Sequence, residues 1–134
     1  MENIIEVLDA QKGLLSGDGV SESMIKEAES MLNLEFAFEY KEYLKRYGIA
    51  AFRGHELTGI TKSPRLNVAA VTLANRKKTP DIKGDLYVVE ETNVEEMVIW
   101  QDTSGEIYCT GPNFPIKKYC NSLSEYILGK GNGK

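Results

Sequence analysis

The sequence predicts an α+β fold, and three observations carry that prediction. Apolar residues recur at helical spacing through the first half, most clearly from Ser21 to Gly48. From Gly84 onward the chain changes to short runs of β-branched and aromatic residues separated by turn-forming stretches. Those runs follow one another with no helical pattern between them, so they read as an antiparallel meander rather than as βαβ units.

Each element follows from local pattern. Ile4, Ile5 and Leu8, with Leu14 and Leu15 fitting less cleanly, predict a first helix running to about Lys12. Gly13 and the run Ser16–Gly19 close it as a loop. A second helix opens at Ser21, whose side-chain oxygen can cap it, and presents Met24, Ile25, Ala28, Met31 and Leu32 as a core-facing stripe. After a tight Asn33–Glu35 link, a third presents Phe36, Tyr40, Tyr43, Leu44 and Tyr47. Gly48 stands where the chain leaves that helix through positive φ. Glu22 with Lys26 and Glu42 with Arg46 are spaced for ion pairs on the outer faces.

Ile49–Arg53 and Glu56–Ile60 predict two short strands turning at Arg53–His55. The loop Thr61–Arg65 contains Pro64, and Leu66–Lys77 then predicts a fourth helix with Leu66, Ala69, Ala70, Leu73 and Ala74 inward. Arg76 and Lys77 suit its negative end. Leu86–Glu90 and Met97–Gln101 predict a hairpin joined by Glu91–Glu95. Glu106–Thr110 and Phe114–Tyr119 continue the sheet. A last helix spans about Ser122–Leu128, and Gly129–Lys134 reads as a disordered polar tail. No linker or repeat divides the chain, so residues 1–128 are expected to form a single domain.

Composition sets limits on function. The 134 residues are 42% hydrophobic and 27% charged, as in an ordinary globular protein. Glu2, Glu6 and Asp9 interrupt the apolar positions near the start, so neither a signal peptide nor a membrane span fits, and a cytoplasmic location is expected. A net charge of −4 argues against nucleic acid as the direct partner. The charge is also polarised. Pro80–Glu106 holds eight acids against Lys83 alone, whereas Thr61–Thr79 holds five bases and no acid.

Motifs for chemistry are missing. His55, the sole histidine, lies in a glycine-containing turn without a triad signature around it, and reads as a solvent-exposed turn residue. One histidine with Cys109 and Cys120, eleven positions apart, does not make a structural zinc site. The two cysteines read as semi-buried thiols. No glycine pattern matches a phosphate loop or a dinucleotide fingerprint, so no cofactor is expected. Glu90–Glu91 and Glu95–Glu96 have the residue types of paired catalytic carboxylates, but at a hairpin tip such pairs are usually solvated. Trp100 and the tyrosines of the third helix read as core. Phe38 lies opposite the buried stripe, where it is either covered by another element or an exposed contact anchor.

Two segments resemble a known family. Leu32–Gly48, LNLEFAFEYKEYLKRYG, resembles the SUKH signature, a leucine–glycine–x–x–leucine–proline turn leading into a tyrosine-bearing helix that ends in glycine. Val98–Tyr108, VIWQDTSGEIY, is similar to that family's strand–turn–strand, and the order of segments extends to the closing stretch NSLSEYILGK. The chain departs from the pattern at Asn33, at Phe36–Ala37 in place of leucine–proline, and at Phe38 where an acid is common. The resemblance implies a mainly antiparallel sheet flanked by helices and a non-enzymatic role. Many bacterial members resemble immunity proteins that bind and block a cognate toxin domain, frequently a nuclease. Other members, fungal cell-wall regulators among them, are regulatory modules that bind a cellular protein. The expected partner is therefore a protein toxin, a cationic nuclease domain being one candidate, with regulatory binding as the alternative. The expected contact residues are Glu90, Glu91, Glu95 and Glu96, joined by Asp85 and Phe38.

Overall fold

The computed structural model describes residues 3–129. Along the chain run α1 (Ile4–Asp9), β1 (Leu15–Ser16), α2 (Glu22–Leu32), α3 (Phe38–Arg46), β2 (Ala50–Phe52) and β3 (His55–Leu57). They are followed by α4 (Val68–Lys78), β4 (Tyr87–Glu91), β5 (Val98–Gln101), β6 (Ile107–Gly111), β7 (Phe114–Cys120) and α5 (Leu123–Ile127). The strands form two antiparallel sheets, β1-β2-β3 and β4-β5-β6-β7, and the fold is α+β. Apart from Gly129, the expected polar tail lies outside the described residues.

In the four-stranded sheet β4 and β5 are covered on both faces, while the edge strand β7 is largely exposed. Tyr87, Val89, Ile99, Ile107 and Cys109 point into the main core, which all five helices (α4 through Val68 and Ala69) and the small sheet also share. The alternate residues Leu86, Val88 and Trp100 meet Val71 of α4 in a second core, edged by Ile82, Val98 and Tyr108. Double burial explains the near-continuous apolar runs LYVV and VIW, since each face needs its own apolar set. Trp100 is fully buried, and its indole N–H donates to Thr110 Oγ1 at 3.0 Å.

The tyrosines of α3 are buried as the pattern predicts, and each hydroxyl has a partner. Tyr40 shares a hydrogen with Thr58 Oγ1 (2.8 Å), Tyr43 donates to the Thr58 carbonyl (2.7 Å), and Tyr47 meets the Asp9 carboxylate. Thr58 also stitches the sheets together. Its N–H donates to the Val89 carbonyl (2.9 Å) and its hydroxyl to the Val88 carbonyl (2.8 Å), extending β3 alongside β4. Just beyond, a side chain on Gly59 would lie 1.7 Å from the Gly48 carbonyl, so the crossing of these two segments requires glycine.

Several expectations shift. The first helix stops at Asp9, and Leu15–Ser16, expected at the helix end and in the loop, pair with β2 instead. In α2 only Ile25, Ala28 and Leu32 are buried. Met24 and Met31 stand on the solvent side, because a helix at the core's margin buries a narrow strip. In α4 the buried set is Val68, Ala69, Val71, Thr72 and Asn75, while Ala70, Leu73 and Ala74 face solvent. Two polar residues turn inward there because β4 leaves groups for them to satisfy. Thr72 Oγ1 accepts the Val88 N–H (3.0 Å), and Asn75 reaches Glu91. The outer-face ion pairs also differ, since Glu22 meets Lys45 at 3.4 Å and Arg46 lies 3.9 Å from Asp9.

Candidate partner-binding groove

The β4–β5 hairpin ends in a turn whose central residues, Glu95 and Glu96, both have positive φ (55° and 57°). Met97 N–H donates to the Val94 carbonyl across it at 3.0 Å, so the turn is of the mirror-image type that matches strand twist. Asparagine and glycine usually occupy these positions, and a side chain in the left-handed region costs roughly 1 kcal/mol or more. Thr92 compensates in part through a hydroxyl donated to the Met97 carbonyl (2.8 Å). The tip holds Val94 63% exposed, with Glu95 and Glu96 beside it.

Below the tip lies an open groove of 720 Å³. It is lined by Asn75 and Lys78 of α4, by Glu91 and Glu96 of the hairpin, and by Glu56 and Arg65. Asn75 Nδ2 donates to Glu91 at 2.8 Å and to the Val71 carbonyl at 2.9 Å, which fixes the carboxylate against the helix. Arg65 grips Glu56 with two parallel bonds of 2.7 and 3.1 Å, and the guanidinium holds the Glu56 carboxyl below its usual range. The pair is exposed, so its contribution to stability is small. Its consequence for the groove is that Arg65 is already neutralised, leaving Glu91 and Glu96 opposite Lys78.

The expected contact residues separate into four places. Glu91 and Glu96 share the groove, and Glu95 sits beside them on the turn. Asp85 lines a separate depression of 150 Å³ with Lys83, Asp102, Tyr108 and Lys118. Phe38, in the first turn of α3, is 77% exposed and outside the groove lining. Glu90 is a correction, because it is buried and presents nothing to a partner. The cause is a β-bulge: the register shifts between Val88 and Glu90, which pair with Trp100 and Ile99 in turn. Strict alternation would send Glu90 outward with Val88, but the extra residue turns it to the inner side and Glu91 to the outer. Charge reversal at Glu90 would therefore disturb the core rather than the surface.

Inside, Glu90 accepts from His55 Nδ1 (3.0 and 3.2 Å), from the Glu56 N–H (3.0 Å) and from the Tyr126 hydroxyl. His55 is therefore half-buried and engaged, not the free turn residue that its glycine neighbourhood suggests. Its pKa is raised above the ordinary 6.5 by the hydrogen bond to Glu90. Asn75, Glu56 and Arg65 were missed as groove residues. Their partners lie 9 to 16 positions away, and no local pattern announces them.

Neither cysteine is poised for chemistry. Burial raises both thiol pKa values, that of Cys120 to about 11, which lowers the thiolate fraction. Among the described residues no group of three or more His, Cys, Asp or Glu side chains is placed to hold a metal ion. Among the described residues no helix is long and apolar enough to cross a membrane.

The architecture is an α+β fold with an antiparallel sheet flanked by helices, built around the tyrosine-bearing α3. A family model described as SMI1-KNR4 cell-wall (SUKH_5) matches residues 1–128, and the chain belongs to that family. Among solved structures, the crystal structure of a protein from Pseudomonas syringae pv. tomato is similar, with a TM-score of 0.71 over 93% of this chain and 96% of that one. At 14% identity that likeness establishes the shared fold. No curated protein matches the chain.

Proposed function

We propose that this domain is an immunity protein, which binds and neutralises a cognate bacterial toxin domain without catalysis. The observation that carries the reading is the β4–β5 tip, where exposed Val94 is flanked by Glu95 and Glu96 above a groove lined by Glu91 and Glu96. An apolar anchor surrounded by carboxylates suits a basic partner, such as the cationic cleft of a nuclease. The charges speed encounter and the apolar contact slows release. Left-handed backbone at two glutamates adds support, because strain of this kind tends to persist where function needs a particular shape. Phe38 and Asp85 lie apart from the groove and rank as secondary contacts.

The family description, SMI1-KNR4 cell-wall, favours a second reading: a regulatory module that binds a cellular protein. One experiment separates the two. The tagged chain and the E91K/E95K/E96K variant are used to capture partners from the source cells, and the captured domain is then expressed with and without each form. The immunity reading expects a partner whose domain arrests growth, protection by the native chain, and protection lost in the variant. A captured housekeeping protein with no toxicity favours regulation. Protection that survives the triple reversal removes the hairpin from the contact.

A further inference from the structure

We propose that His55, Glu90 and Tyr126 form a pH-dependent latch that fastens β3 and α5 to the bulge of β4, tight while His55 is protonated and looser once it is neutral. The three residues come from three elements, β3, β4 and α5, which otherwise meet through the main core, the Thr58 bonds to β4 and the Glu39 cap on α5. Glu90 is 3% exposed, and a carboxylate that deep is costly unless it is paired and hydrogen-bonded. Three groups converge on it: His55 Nδ1, the Glu56 N–H and the Tyr126 O–H. Of these only His55 brings a full positive charge, and only in its protonated form.

The groups facing His55 support that assignment. From β4 comes Glu90, and from α5 the Tyr126 ring, edge-on at 6.0 Å. From β2 comes the Phe52 ring at 5.4 Å, and Arg53 of the same turn opposes protonation without outweighing Glu90. The Glu56 side chain is turned away to Arg65, so Glu90 is the carboxylate that serves the histidine. Burial and the neighbouring Glu90 raise the Tyr126 pKa, so its hydroxyl stays a donor throughout the range in which His55 titrates. When His55 loses its proton, Nδ1–H can still donate, and the geometry survives without the charge attraction. Glu56 and Glu91, the sequence neighbours of the latch, both line the groove, so loosening reaches the proposed contact surface as well.

The sign follows from linkage. The folded pKa of His55 lies above 6.5, so the stabilisation is complete below 6.5 and is lost as pH rises through the folded value. His55 is the sole histidine, so an untagged protein gives a single imidazole titration by NMR. The expected result is a midpoint above 6.5, with the backbone amides of Glu56 and Tyr126 shifting at the same midpoint. The urea midpoint should fall from about pH 6 to about pH 8.5 in the native chain, and this fall should be absent or smaller in His55→Gln. Glu90→Gln, where it folds, should return the histidine to 6.5 or below. A native histidine titrating at or below 6.5, or the same pH profile of stability in the native chain and His55→Gln, overturns the latch.

Discussion

Thr58 is the residue on which most of the internal polar organisation converges. It is 2% exposed, and its hydroxyl, N–H and carbonyl together engage Tyr40, Tyr43, Val88 and Val89. Replacement by valine keeps the volume but strips the Tyr40 hydroxyl and the Val88 carbonyl of a partner. Each buried group left unpaired costs about 1–3 kcal/mol, so Thr58→Val should destabilise by about 2–4 kcal/mol. Urea unfolding tests this directly, with a lower midpoint at unchanged slope as the expected outcome. The side chain itself gave no warning. A threonine in the middle of the expected strand Glu56–Ile60 reads as an ordinary strand residue, and its four partners are 15 to 31 positions distant. Glu39 was equally hidden. By sequence it is an ordinary first-turn acid, yet its carboxylate accepts the Leu123 and Ser124 N–H groups (2.7 and 3.1 Å) and so caps α5 from another element.

At the scale of elements, the β4–β5 hairpin combines a predictable framework with an unpredictable twist of its contents. Its two strands and connection are legible from alternation and from the acidic break between them. The bulge is not, and it decides which glutamate faces the core and which faces α4. The turn offers a separate test. Glu95→Asn with Glu96→Gly should suit the left-handed positions and stabilise the domain by about 1–2 kcal/mol. That corresponds to a rise in Tm of roughly 3–8 °C for a domain of this size. The same change removes two carboxylates from the tip, so affinity for a basic partner should fall while stability rises. Calorimetric unfolding and binding measured on one preparation would reveal that opposition, and a fall in both would refute the turn geometry.

At the scale of the whole molecule, the two cores share one sheet, whose inner and outer residues alternate along β4, β5 and β6. Neither core can lose its packing without exposing the back of the other. Unfolding should therefore be a single transition. Trp100 is the sole tryptophan and lies in the smaller core, whereas all five helices contribute to the larger one and α4 alone to the smaller. Tryptophan fluorescence and far-UV circular dichroism consequently report different cores, and their denaturation curves should coincide. Curves that separate would mean that α4 and its core melt independently.

The order of helices and strands apart from β1, the Ser21 cap, the aromatic face of α3 and the SUKH resemblance were determined by the sequence, because each rests on periodicity or turn chemistry within a few neighbouring residues. Contacts across the chain were decided by tertiary structure alone. The bulge buried Glu90 against His55 and Tyr126, the edge of β4 drew Thr72 and Asn75 of α4 inward, and the crossing at Gly59 brought Thr58 beneath two tyrosines. The physical reason is common to all three. A local pattern states which residues prefer water, but a polar residue is buried only where distant backbone or side-chain groups meet its hydrogen bonds, and those groups are placed by the fold.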